Sequence, residues 1–309
     1  MLSGAVSRGL RRAGPSLRGG WPAWHQPVRG MFENVRHRGE LTQRKDTTGP
    51  VMLFTPPEEQ PHTASVIFMH GLGVRFAGVS ATQHDSCHGW AQIVAQFLLP
   101  SLPHVKFVLP TAPTRPVTIN GGYPCPAWYD IEDLASRQHG CGGIHESRAF
   151  VQKLIAEEVV SGVPSSRIVL AGFSQGGALS LFSGLTSTPP VAGIGVLSGY
   201  LPLSEEVKGT APLSARGVPV WMGHGEDDEV VLLQWAEASH AALQEMGMES
   251  VQWNAYRHTA HEANPDELKD FAGWLEQTLP AGVSVSDVAA AAELQAQQEG
   301  LQRQQRVEQ

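Results

Sequence analysis

Cysteine is scarce in this 309-residue chain: only Cys87, Cys125 and Cys141 occur. So small and odd a set, with no C-x-x-C pair, is neither a disulfide framework nor a cysteine zinc site, and it fits a reducing compartment. Charged residues are also few, at 17%, while the apolar fraction of 41% supplies a sizeable core and argues against a disordered chain. Cations are outnumbered, 22 Lys and Arg against 30 Asp and Glu, for a net charge of -8. Nucleic acid is therefore not an expected partner, and neither is broad adhesion to anionic lipid. No apolar run approaches the length of a transmembrane helix, so no stable membrane span is expected. The length suits a single α/β sheet with flanking tails.

The two ends differ from the middle. Arg8, Arg11, Arg12, Arg18 and Arg29 all precede the first acid, Glu33, and Leu2, Val6 and Leu10 fall on one helical stripe. Residues 1–31 thus have the makeup of an organellar transit peptide, mitochondrial before plastid; the contrasting reading is a disordered arm, with Met31 as an alternative start. From Val283 to Gln309 the chain is rich in Ala and Gln, with apolar positions too sparse to define a buried face, and residues 281–309 read as a tail outside the catalytic domain.

Between these ends strand and helix signals alternate. Apolar runs at Ser65–Met69, Val105–Leu109, Arg167–Ala171, Val191–Leu197, Val218–Met222 and Val251–Tyr256 predict strands. Helical spacing predicts helices over Ile144–Val159, Gln175–Leu185, Leu232–Met246 and Pro265–Leu279, the last with Pro at its start. The Pro- and Gly-rich stretch from Thr111 to about Trp128 reads as a long loop. Short connections between alternating elements imply an α/β fold: a mostly parallel central sheet with helices on both faces, in three α/β/α layers. In such folds the chemistry sits at the carboxyl ends of the strands.

At one of those ends stands Gly172-Phe-Ser174-Gln-Gly176, a G-x-S-x-G pattern. A sharp strand-to-helix turn projects the serine oxygen from the sheet, and glycines let that turn form without collision. The motif follows an apolar strand and opens a helix, as the chemistry requires. Serine needs a base, and chain order in this fold runs serine, acid, histidine. Downstream, Asp228 is the chosen acid of His224-Gly-Glu-Asp-Asp228-Glu229, with Asp227 and Glu226 as alternatives. His261 or His258 supplies the base after the Val251–Tyr256 strand. The oxyanion of the tetrahedral intermediate needs two backbone N–H donors: Gln175, just after the nucleophile, and Leu72 in His70-Gly-Leu-Gly73. The His258, His261, Glu262 group matches neither H-E-x-x-H nor H-x-x-E-H, and the cluster of His84, Asp85, Cys87 and His88 lacks a third-ligand spacing, so metal hydrolysis is disfavoured.

His70-Gly-Leu-Gly73, Pro110-Thr-Ala-Pro-Thr-Arg-Pro-Val-Thr-Ile-Asn120, Trp128-Tyr-Asp130, Gly172-Phe-Ser-Gln-Gly-Gly-Ala-Leu-Ser180 and His224-Gly-x-x-Asp228 closely resemble the acyl-protein thioesterases, a family that also contains lysophospholipases and carboxylesterases. The similarity runs from about Gly49 to Pro280. It implies an α/β-hydrolase catalytic domain over 49–280 with Ser174, Asp228 and His261 as the triad. It also implies hydrolysis of S-palmitoyl thioesters on proteins, or of lysolipids and small esters, with no metal or organic cofactor. A cytoplasmic monomer or weak homodimer is implied, unless the N-terminus directs import. A hydrophobic acyl channel near the elbow is implied too, with Ile119, Pro126 and Trp128 as candidates to line it or merely to pack beside it.

The chain departs from the family in three places. Val74 replaces an Asp, and Val74 to about His84 looks inserted beside the oxyanion loop. Near the base, Gly-Met-x-His becomes His258-Thr-Ala-His261. No Cys precedes Cys87, so tethering through an acylated N-terminal Cys is not expected. If the insert disables the site, the chain is instead a non-catalytic binding protein on a hydrolase fold.

Overall fold

The computed structural model describes residues 40–46, 49–57, 62–73, 86–133 and 140–307. The expected transit segment at 1–31 and the expected insert at 74–84 lie outside the described residues.

The apolar runs at Ala64–Met69, Ile168–Phe173, Gly193–Leu197 and Val220–Gly225 are buried along their length, whereas the run at Val251–Tyr256 is only partly covered. In chain order the strands are β1 (Glu40–Lys45), β2 (Pro50–Thr55), β3 (Ala64–Met69), β4 (Val105–Pro110), β5 (Thr114–Val117), β6 (Tyr123–Pro126), β7 (Ile168–Phe173), β8 (Gly193–Leu197), β9 (Val220–Gly225) and β10 (Val251–Tyr256). Eight of them make one sheet in the order β1-β2-β4-β3-β7-β8-β9-β10. β2 pairs antiparallel with both β1 and β4, and every pairing from β4 to β10 is parallel. β3, β7 and β9 are buried throughout, as parallel strands covered on both faces must be.

The helices are α1 (Cys87–Ile93), which runs on into a π-turn at Val94–Leu98, α2 (Ile144–Val160), α3 (Gln175–Leu185), α4 (Ser204–Thr210), α5 (Leu233–Glu245), α6 (Pro265–Thr278) and α7 (Val285–Val307). Along β8 the side chains of Ile194 and Val196 point toward Gly184 and Gly177 of α3, whereas Gly193 and Gly195 face Trp274 and Phe271 of α6. Successive strand residues point to opposite faces, so α3 and α6 cover opposite faces of the sheet. Trp90 of α1 shares the α6 face, its ring 4.3 Å from Phe68, while Phe68 in turn meets Phe271 edge-on at 6.4 Å. α2 buries Ile144, Phe150, Val151, Leu154 and Ile155, a stripe at the spacing of a helix face.

One sequence expectation is corrected. The stretch Thr111–Trp128 is not a plain loop: β5 and β6 form an antiparallel hairpin, with Thr114 opposite Pro126 and Val117 opposite Tyr123. Its prolines hide the strands from a propensity reading, but a two-stranded ribbon leaves edge positions where a missing N–H costs no ladder bond. Within the expected tail, Val285–Val307 is helical, as α7. Val288 and Ala292, one turn apart, are both buried, and Gln295 Oε1 accepts bonds from Ser165 N at 2.9 Å and Ser165 Oγ at 3.0 Å.

Candidate active site

The residues singled out for chemistry collect at the carboxyl ends of β3, β7, β9 and β10. Ser174 directly follows β7 and caps α3. Its backbone is left-handed, at φ 52° and ψ -119°, a conformation that costs a non-glycine residue about 1–3 kcal/mol. What forces the turn is crowding. A Cβ on Gly176 would lie 2.1 Å from Met69 O and 2.5 Å from His70 O, and one on Gly172 would lie 2.5 Å from the Gly176 carbonyl carbon. Only hydrogens fit there, so the start of α3 seats directly against the end of β3, beside the oxyanion loop.

His261 lies between Ser174 and Asp228. Its Nδ1–H donates to Asp228 Oδ2 at 2.7 Å, and its Nε2 accepts from Ser174 Oγ at 2.9 Å. Asp228 is held in place from the other side: Oδ1 accepts the N–H groups of Val230 at 2.9 Å and Val231 at 2.8 Å. Behind it, the buried His224 donates from Nε2 to Val231 O at 2.6 Å and sits 3.4 Å from Asp228 Oδ2. Burial pushes the His224 imidazole down, against the opposing pull of that carbonyl, so it acts as a neutral donor bracing the acid turn. Backbone bonds from Glu226 N to Tyr256 O and from Asp227 N to Thr259 O tie the acid loop to the histidine loop.

The alternative residues are elsewhere. Glu226 and Asp227 are exposed. The His258 side chain is 95% exposed, with Nδ1 3.9 Å from Asp227 Oδ2. His258→Ala is therefore expected to keep wild-type kcat/KM on an ester substrate; a loss of more than about tenfold in a steady-state assay contradicts this placement.

The oxyanion loop is braced by bonds that the sequence reading did not foresee. His70 is buried, donates from Nδ1 to Gly71 O at 2.6 Å, and accepts at Nε2 from Ala112 N at 2.9 Å. Burial pushes its pKa down to about 4, so this tautomer stays neutral and its two bonds persist. Trp128 is fully buried; its indole donates to His70 O at 2.8 Å. Gln175 binds the same segment from the other side, accepting from Trp128 N at 2.9 Å and donating to Tyr129 O at 2.7 Å. The loop carrying Leu72 and the elbow carrying Gln175 are thus fastened to one pair of residues, 128 and 129. As the first residue of α3, Gln175 has an N–H with no acceptor inside the helix.

The channel candidates divide. Ile119 is partly buried and, with Leu72, packs on Val117 and Cys125 of the hairpin and on Ala127 just after it. Pro126 accepts the Gly73 N–H at 2.9 Å, so it anchors the oxyanion loop to β6. Trp128 has the bracing place just described. Among the described residues no group of three His, Cys, Asp or Glu is placed to hold a metal ion, and no helix is long and apolar enough to cross a membrane. His70 and the Gln175 side chain escaped the sequence reading because their partners Ala112, Trp128 and Tyr129 lie 42–47 residues along the chain, whereas His224 meets Asp228 and Val231 within its own loop. The one signal was their position inside motifs already quoted.

Residues 52–279 match the phospholipase/carboxylesterase family. Acyl-protein thioesterase 1 of Neurospora crassa is 40% identical over 233 residues, covering 72% of this chain and 90% of that protein. Its counterpart in Emericella nidulans is 36% identical over 239 residues, covering 74% and 95%. Among solved structures, acyl-protein thioesterase 2 of Zea mays superposes with a TM-score of 0.60 at 28% identity, covering 74% of this chain and 98% of that one. SOBER1 of Arabidopsis thaliana gives 0.63 at 29% identity, covering 70% and 99%.

Proposed function

The chain belongs to the phospholipase/carboxylesterase family, and we propose that within it the protein is a serine hydrolase that removes acyl groups from S-acylated cysteines of proteins. In this reading Ser174 Oγ attacks the acyl carbon while His261 Nε2 takes its proton. Asp228 holds the imidazole in the required tautomer and stabilises the imidazolium. The N–H groups of Leu72 and Gln175 bind the oxyanion, each worth roughly 3–4 kcal/mol in the transition state. His261 returns the proton to the departing thiolate, which leaves as the cysteine thiol, and Ser174 keeps the acyl group. Water, deprotonated by the same imidazole, then releases the fatty acid. Every proton moves between groups of this chain and the substrates, so no cofactor enters any step.

One observation carries the reading: the continuous line from Asp228 Oδ2 through His261 to Ser174 Oγ, at 2.7 and 2.9 Å. Two relatives at 36% and 40% identity whose names specify acyl-protein thioesterase support the choice of substrate class. The test compares kcat/KM on a palmitoyl-cysteine peptide, a lysophospholipid and a short aryl ester. A preference of about tenfold or more for the palmitoyl thioester is expected. A preference for either of the others makes the protein a lysophospholipase or a carboxylesterase with the same catalytic groups.

A further inference from the structure

β9 carries two glycines on the face that the His261 segment covers, and each leaves a notch. A Cβ on Gly225 would lie 2.2 Å from Thr259 O and 2.6 Å from Ala260 O, the carbonyls just before His261. A Cβ on Gly223 would lie 2.6 Å from Glu267 Oε1, beside the Trp221 ring. Six residues after the base, then, a glutamate side chain is inserted under the strand that leads to Asp228. It has no solvent exposure, and among the described residues neither of its oxygens has a hydrogen-bond partner. Its own N–H is used by the Asn264 cap at 2.9 Å. An exposed helix-start glutamate would reach back toward the cap; this one turns inward instead. Nothing in the mechanism above uses it.

We propose that Glu267 is a positioning residue for the His261–Asp228 pair: its buried carboxyl group, seated in the Gly223 notch, pins the start of α6 and so fixes the loop that carries the base. The inference rests on the hydrolase reading.

The seat suits the neutral acid and not the carboxylate. A bare charge with no partner is costly to bury, and Asp228 already places one negative charge nearby. Among the described residues, the titratable groups set against Glu267 are Asp228 from the loop after β9 and Tyr256 from β10, whose hydroxyl donates to Asp270, and neither is a cation. The packed turn at Val94–Leu98 brings no charge. Burial, with the Asp228 charge adding to it and the backbone bond at Asn264 opposing, pushes the Glu267 carboxyl from an ordinary 4.5 up to about 8. Asp228 Oδ1 has two backbone donors, whereas neither Glu267 oxygen has one among the described residues, which leaves the proton on Glu267. Above that pH, Glu267 becomes an unpaired anion that draws the start of α6 toward water. The folded chain binds this proton more tightly than the unfolded chain does. The stability it confers is therefore complete below pH 4.5 and lost as the pH rises toward 8.

The test measures kcat and KM from pH 6 to 10, together with melting temperatures, for the full chain and for Glu267→Gln and Glu267→Ala. Wild type is expected to lose kcat above about pH 8. Glu267→Gln, which fills the notch without ionising, should lack that alkaline loss, and its melting temperature should gain on wild type as the pH rises from 5 to 9. Glu267→Ala should lower kcat by about tenfold at pH 7 with KM changed less than about twofold, a loss that Gln largely restores. The inference is overturned if Glu267→Gln keeps the wild-type alkaline limb, or if Glu267→Ala has wild-type kcat across the range. Should the alanine variant fail to fold, the glutamine pH profile decides alone. A wild-type chain that hydrolyses no ester or thioester would instead remove the hydrolase reading, and this inference with it.

Discussion

Ser174→Ala is expected to lower kcat on a thioester substrate by about 10⁵–10⁶-fold, leaving only the contribution of substrate binding and the oxyanion donors. The size follows from the geometry. The variant removes the one oxygen that both projects from the β7–α3 turn and lies within hydrogen-bond reach, 2.9 Å, of the imidazole. The fold should be untouched, because among the described residues the hydroxyl makes no bond besides that one, and alanine relieves none of the strain of the positive φ. A steady-state assay beside a melting curve checks both halves: a collapsed rate with an unchanged melting temperature is expected. A rate reduced less than about 100-fold would mean that another group attacks the acyl carbon.

His261→Ala should be nearly as severe, at about 10⁵-fold or more, and combining it with Ser174→Ala should cost little beyond either change alone. Nucleophile and base work as one unit, since the serine is inert until its proton has somewhere to go. Asp228 cannot take the base's place: its Oδ2 meets the far nitrogen of the ring at 2.7 Å, and its Oδ1 is committed to Val230 and Val231. His258 cannot replace it either, being turned outward toward Asp227. Losses that multiply in the double variant would show that the two residues act in separate steps.

Much of this arrangement was legible in the residues. The bounds of α3 and β10 agree with the sequence expectation, and those of β7 and β9 lie within about three residues of it. Long apolar runs stopped by glycine or proline leave a strand few alternatives. Because a parallel sheet gathers the ends of its strands, placing the strands also placed Ser174, Asp228 and His261 at one edge. The residues alone left His258 and His261 open, since both follow β10, and only the fold separates them: Thr259 and Ala260 seat in the Gly225 notch and turn 261 inward.

What the sequence hid has physical reasons. β1 has a single apolar residue, Leu41, because it is an edge strand whose stability comes from pairing with β2. Among the described side chains of α7 the buried apolar ones are Val288 and Ala292, a stripe too thin to recognise from spacing. The hairpin strands are interrupted by Pro116 and Pro124. The bracing by His70 and Gln175, and the inward turn of Glu267, depend on which segment lies alongside which. No local pattern of residue types records that.

The central claim is that Ser174 is a nucleophile made reactive by His261, and covalent labelling tests it most directly. Treating the full chain with a fluorophosphonate and mapping the adduct by peptide mass spectrometry should place one phosphonyl group on Ser174, with the labelling rate falling by orders of magnitude in His261→Ala. An adduct on a different residue, or a rate indifferent to the loss of that imidazole, would contradict the account.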